Sequence, residues 1–138
     1  MAENTVEHII IAFTGHRDLE LSMYYQYRTE LVKAINEIIS SNDHKYFLLR
    51  TGGAIGADQI AIDVCKELEI KYEIIPVKEN KHNPYVVQAE KIILDAIYLI
   101  AMWDGIFNGK EGGTSDVIAK FIELNGDQNF HVIKVQRL

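Results

Sequence analysis

Two glycine-rich stretches carry the clearest chemical signal in this sequence: Thr51-Gly52-Gly53-Ala54-Ile55-Gly56-Ala57-Asp58 and Glu111-Gly112-Gly113-Thr114-Ser115-Asp116. Each stands directly before a run with helical spacing. Backbone amides that lead into a helix N-terminus hold anions, because those N–H groups lack intrahelical acceptors and the helix dipole favours negative charge. A simple tight turn does not need three glycines, and two such stretches are harder to explain by chance than one. Neither matches G-x-x-x-x-G-K-[ST] or G-x-G-x-x-G, so ATP hydrolysis and dinucleotide redox chemistry are not indicated and no cofactor is expected. A third stretch, Thr14-Gly15-His16-Arg17-Asp18, adds a turn glycine and an imidazole able to donate, accept or act as a base. Its Arg17 offers a planar fork of donors suited to phosphate.

Most of these residues also have a bland reading. Asp58 falls in the first turn of a helix, where it either pairs with the dipole and caps the turn or meets a ribose hydroxyl. Thr114 or Ser115 is a helix cap, or both hydroxyls bind a phosphate with the amides of Gly113 and Thr114. Asp104, in Trp103-Asp104-Gly105, is a turn residue or a contact to a ribose or base. Trp103 is core or pocket wall, or stacks on a base. The 78–85 loop reads as plain surface, although Lys78, His82 or Tyr85 reaching across a pocket is the alternative. Tyr24, Tyr25 and Tyr27 read first as helix packing and second as a lid or oligomer face. The five histidines form no H-x-x-x-H or H-x-H pair, so no metal site is expected. The single cysteine, Cys65, lies on an apolar helix stripe as a structural thiol, and no G-x-S-x-G elbow occurs.

The elements that must position these stretches alternate along the chain. Short apolar runs at 8–13, 46–51, 72–77, 97–103 and 130–135 read as strands. Between them lie helical patterns: Tyr27, Leu31, Ala34, Ile35, Ile38 and Ile39 on one face; about 57–68; one beginning after Pro84 and continuing to about Leu94; and about 115–124, stopped at Asn125-Gly126. Alternation of this kind specifies right-handed βαβ crossovers and an α/β fold: a single three-layer Rossmann-like domain over 1–138, with about five mostly parallel strands. Ligands of such sheets bind beyond the carboxyl ends of the strands, where all three stretches fall.

The 138 residues are one domain's worth, and 48% hydrophobic content supports a core. Fourteen Lys and Arg against 20 Asp and Glu give a net charge of −6, which argues against general nucleic-acid binding. A small anion held in one local pocket remains compatible with that balance. No apolar run reaches the roughly 18 residues of a membrane span. The start MAENTVEHIIIAF lacks a basic region and a cleavage site, so a cytoplasmic protein is expected.

With FTGHRDL, TGGAIGADQIA and WDG…KEGGTSDVI in this order, the chain resembles the SLOG superfamily, the Smf/DprA and Lonely-Guy group, over nearly its whole length. It looks closest to the small Rossmannoid branch of YpsA- and YspA-like proteins. The resemblance implies a fold that binds nucleotides or nucleotide-derived molecules, often as a homo-oligomer (dimer or tetramer). Some members cleave N-glycosidic bonds; others sense signals such as cyclic ADP-ribose derivatives in bacterial defence. Enzymatic members carry P-G-G-x-G-T-x-x-E with a catalytic Glu. With Thr114 matched to the motif Thr, that Glu position holds Val117, which cannot act as nucleophile or base. Asp116 lies one residue short, turned about 100° around the helix. The resemblance therefore implies a non-catalytic binder that senses or sequesters a phosphorylated ligand. The alternative is a nucleoside 5′-monophosphate N-glycosidase working through Asp116, Asp104 or Glu111.

Overall fold

In the computed structural model, which describes residues 7–43, 45–79 and 82–138, strands and helices alternate as β1 (His8–Gly15), α1 (Tyr24–Ser40), β2 (Tyr46–Thr51), α2 (Ala57–Leu68), β3 (Lys71–Ile74), α3 (Pro84–Ile93), β4 (Tyr98–Trp103), α4 (Thr114–Asn125) and β5 (Phe130–Lys134). A single 3₁₀ turn, Leu21–Met23, leads into α1. The N-terminal residues 1–6, His44, and Asn80 and Lys81 of the 78–85 loop lie outside the described residues.

All five strands pair in parallel in the order β3-β2-β1-β4-β5. β1 is central, with Ile10 opposite Leu48 of β2 and Phe13 opposite Ile100 of β4. Strand order reverses at β1, so a crevice must open beyond its carboxyl end, between the loops that leave β1 and β4. β3 is shorter than the expected 72–77. Ile75 N–H still donates to Thr51 O at 2.8 Å, but Pro76 has no N–H with which to continue the ladder.

The period-two alternation of β1 splits the core. Ile11 and Phe13 join Leu49, Ile100 and Met102 beneath α1 and α2, which supply Tyr27, Leu31, Ile35, Ile60 and Val64. Ala12 points the other way, with Leu99, Ala101 and Trp103, beneath Ile92 and Ile93 of α3 and Ile118 and Phe121 of α4. Both faces of the central strands are dry, which is why IIIAF and YLIAMW lack polar alternation. Each large side chain buried here contributes roughly 1.5–3 kcal/mol by removal from water. Cys65 belongs to the α1/α2 layer, and burial pushes its thiol up to about 12, consistent with an inert structural role.

Candidate ligand-binding site

The loops at the carboxyl edge are stitched together by backbone. His16 N–H donates to Met102 O at 3.2 Å, and His16 O accepts from Ala57 N–H at 3.0 Å, so the loop after β1 is tied both to β4 and to the start of α2. Gly15 has to be glycine, since a Cβ there would collide with the Ala57 side chain. Gly56, at φ +81°, sits against the backbone of Arg17 in the same way. On the other side, Thr14 Oγ1 lies 3.4 Å from Thr114 Oγ1, and Gly112 packs on the Tyr85 backbone at the start of α3.

These contacts close a cavity of about 430 Å³ at the point of strand reversal. The loop after β1 contributes Thr14, Gly15, His16 and Arg17 to its wall, and the loop after β2 contributes Gly52 and Asp58. The loop before α4 contributes Glu111, Gly112, Gly113 and Thr114. Val117 of α4 also faces it, as do Tyr85 and Gln88 of α3. Three loops whose sequences suggested a common edge thus meet around one space.

Other residues expected at the site are not in the cavity wall, and their partners explain why. Gly53 and Gly56 shape the loop after β2, both at positive φ. Trp103 is buried on the α3/α4 side, donates Nε1–H to Ile106 O at 3.0 Å and meets Phe107 edge-on. Asp104 Oδ1 accepts from Ile106 N–H, the bland turn reading, and Asp104 also lies 3.3 Å from His16 Nε2 and 3.8 Å from Arg137. Ser115 is buried and its hydroxyl bonds Asn108, organising the β4–α4 loop from within. Asp116 accepts from Gly112 N–H at 2.8 Å and pairs with Lys120 through both oxygens.

Anion-binding capacity is therefore unevenly spread. The Gly112 amide is taken by Asp116, and the Gly113 amide by Lys110 O. What remains on the α4 side is the first turn itself, with no side-chain cap on the amides that follow Gly113. Arg17 is exposed, with its guanidinium 5.8 Å from the centre of the Tyr85 ring, and it forms no salt bridge among the described residues. Lys110, also on the wall, is likewise free of a carboxylate partner among the described residues.

The titratable groups divide by environment. Burial pulls His16 below its ordinary value, reinforced by the Arg137 charge, although Asp104 opposes both. Burial pushes Asp116 upward, but the Gly112 amide and Lys120 outweigh it and hold the carboxyl below its usual range. Asp58 behaves oppositely. Burial lifts it to about 6 against the Ala54 amide, the Thr51 hydroxyl and the Arg17 charge. Its Oδ2 accepts from Ala54 N–H at 3.0 Å, while Oδ1, also buried, has no hydrogen-bond partner.

Four polar cavity residues escaped sequence reasoning: Gln88, Asn108, Lys110 and Arg137. Arg137 arrives through an antiparallel bridge with Leu19 and grips both oxygens of Asp18 at 2.8 and 3.1 Å. Only the polar β4–α4 stretch hinted at Asn108 and Lys110; nothing local marks Gln88 or Arg137. Of the 78–85 loop, Tyr85 reaches the cavity, whereas Lys78 and His82 do not line it. Tyr27 is buried, its hydroxyl accepting from Gln136 N–H, while Tyr25 is exposed.

Fold and site together define a Rossmann-like α/β domain with a cavity of mixed polar and apolar lining at its topological switch point. Compared with protein-family models the chain matches none, and comparison with curated proteins likewise returns no match. Among the described residues no helix is long and apolar enough to cross a membrane.

Proposed function

We propose that this chain is a SLOG-type module that binds, without converting it, a small phosphorylated molecule derived from a nucleotide. It acts by sensing or sequestration; a cyclic ADP-ribose-type or cyclic nucleotide signal of bacterial or phage defence fits this role. The observation that carries the reading is the pairing of Arg17, a cation without a carboxylate partner among the described residues, with the uncapped first turn of α4 on one cavity. Both are donors to an anion, and charge-assisted hydrogen bonds of this kind contribute roughly 1.5–3 kcal/mol each. A few of them support affinity in the micromolar range or tighter.

The wall itself supports binding over hydrolysis. Val117, at the position of the motif glutamate, is buried and faces the cavity, so that position is apolar. Asp116 is spent on Gly112 and Lys120, Asp104 on its turn and His16, and Glu111 is exposed at the rim. Titration calorimetry with nucleoside monophosphates, ADP-ribose and cyclic dinucleotides tests the reading, with chromatography of the same mixtures for released base. Binding of at least one compound with no free base is expected. Appearance of adenine or cytosine would overturn it in favour of an N-glycosidase, and no binding by any compound would remove the ligand-binding assignment altogether. Native mass spectrometry on protein from a nucleotide-rich lysate reports the retained ligand and the number of subunits in a homo-oligomer together.

A further inference from the structure

Asp58 is only 7% exposed, lines the cavity, and keeps one carboxylate oxygen, Oδ1, without a hydrogen-bond partner. A buried acceptor left in this state costs free energy unless something donates to it. Of the neighbouring donors, the Thr51 hydroxyl favours the Asp58 charge but makes no hydrogen bond to Oδ1, and the others are committed elsewhere. Ala54 N–H serves Oδ2. The Gln88 amide donates to Ile75 O at 2.9 Å and to Gly52 O at 3.4 Å. Arg17 favours the Asp58 charge from a distance but forms no ion pair with it. The cavity therefore has two unlike poles: donors at Arg17 and the first turn of α4, and one unmatched acceptor at the first turn of α2.

A bare phosphate answers only the first pole, and next to Asp58 it meets charge repulsion. In a phosphorylated, nucleotide-derived molecule the donors closest to the phosphate are the sugar hydroxyls, and the cavity of about 430 Å³ has room for a sugar phosphate between the two poles. We propose that Asp58 Oδ1 accepts a hydrogen bond from a sugar hydroxyl of the ligand, so that the site selects a hydroxyl-bearing sugar phosphate over a phosphate ester that lacks one. This deepens the functional reading above and rests on its phosphate-binding half.

The test compares ribose 5-phosphate with methyl phosphate, an ester of similar charge without hydroxyls, on the wild type, Asp58→Asn and Arg17→Ala. Asn keeps an oxygen for the Ala54 amide, so Asp58→Asn is expected to fold, and a thermal melt verifies it. The wild type should prefer ribose 5-phosphate by about tenfold or more, the size of one charge-assisted hydrogen bond. Asp58→Asn should reduce that preference to within about twofold of unity while binding methyl phosphate no more weakly than the wild type. Arg17→Ala should weaken both ligands and leave the preference in place. Equal binding of the two esters by the wild type, or a preference that survives in Asp58→Asn, overturns the Asp58 assignment while leaving phosphate binding intact. Failure of the wild type to bind either ester sinks the phosphate reading, and the Asp58 proposal with it.

Discussion

Asp58 and Arg17 face the same cavity with opposite charges, and each makes a prediction at the scale of a single residue. Asp58 is raised to about 6 in the folded chain from an ordinary value of 3.8, chiefly by burial. The folded state thus holds this proton more tightly than the unfolded one. Stability from the group is fully present below about pH 4 and is lost as pH rises through about 6. At pH 8 the ionised carboxylate, compensated in part by the Ala54 amide, the Thr51 hydroxyl and the Arg17 charge, costs up to about 3 kcal/mol. Asp58→Asn should accordingly raise stability at pH 8 by about 1–3 kcal/mol, a gain that shrinks between pH 6 and pH 4; denaturant melts across that range measure it. Arg17→Ala removes an exposed side chain that bears no salt bridge among the described residues, so the melting temperature should move by no more than about 2 °C. Affinity for a phosphate-bearing ligand should fall about tenfold or more by calorimetry. A large loss of stability would make Arg17 structural.

At the scale of elements, the loops are held by close backbone approach rather than by side-chain bulk. Gly56 combines a left-handed φ with contact to the Arg17 backbone, so Gly56→Ala strains two loops together. A loss of about 2 kcal/mol or more is expected in a chemical melt, with weaker ligand binding because Arg17 is displaced. Gly109 has a similar φ of +74° but open space around its Cα. Gly109→Ala should cost about 1 kcal/mol and leave affinity unchanged. The contrast separates conformational strain from loop-on-loop packing.

At the scale of the molecule, the last described residues control the electrostatics of the first loop. Arg137 is 119 residues from Asp18 and holds its carboxylate while also approaching Asp104, which in turn faces His16. After burial, the Arg137 charge is the next influence lowering His16. Arg137→Ala should therefore move the His16 titration upward, read from its imidazole proton shifts by NMR. The stability loss should stay within about 1 kcal/mol, because both partners of the ion pair are more than a third exposed. An unmoved His16 titration would show that burial alone sets it.

Period and punctuation alone settled the α/β class, the α2 bounds at 57–68, the strand that ends at Trp103, and the edge on which the glycine loops and Arg17 fall. These follow from interactions between near neighbours: a 3.6-residue stripe, a β-branched run, a glycine before a helix. Whether a given polar group stays free for a ligand depends instead on contacts between loops distant in the chain. Asp116 looked available and is taken by Lys120, Ser115 looked ligand-facing and serves Asn108, while Asp58 looked like a cap and keeps one oxygen unused. Arg137 and Gln88 join the cavity only because the sheet closes with β1 at its centre and brings the last residues and α3 over the same strand tips. Local pattern reports what each segment is, but the partners a polar atom finds are fixed by closure of the whole chain, and no spacing along the sequence encodes that geometry.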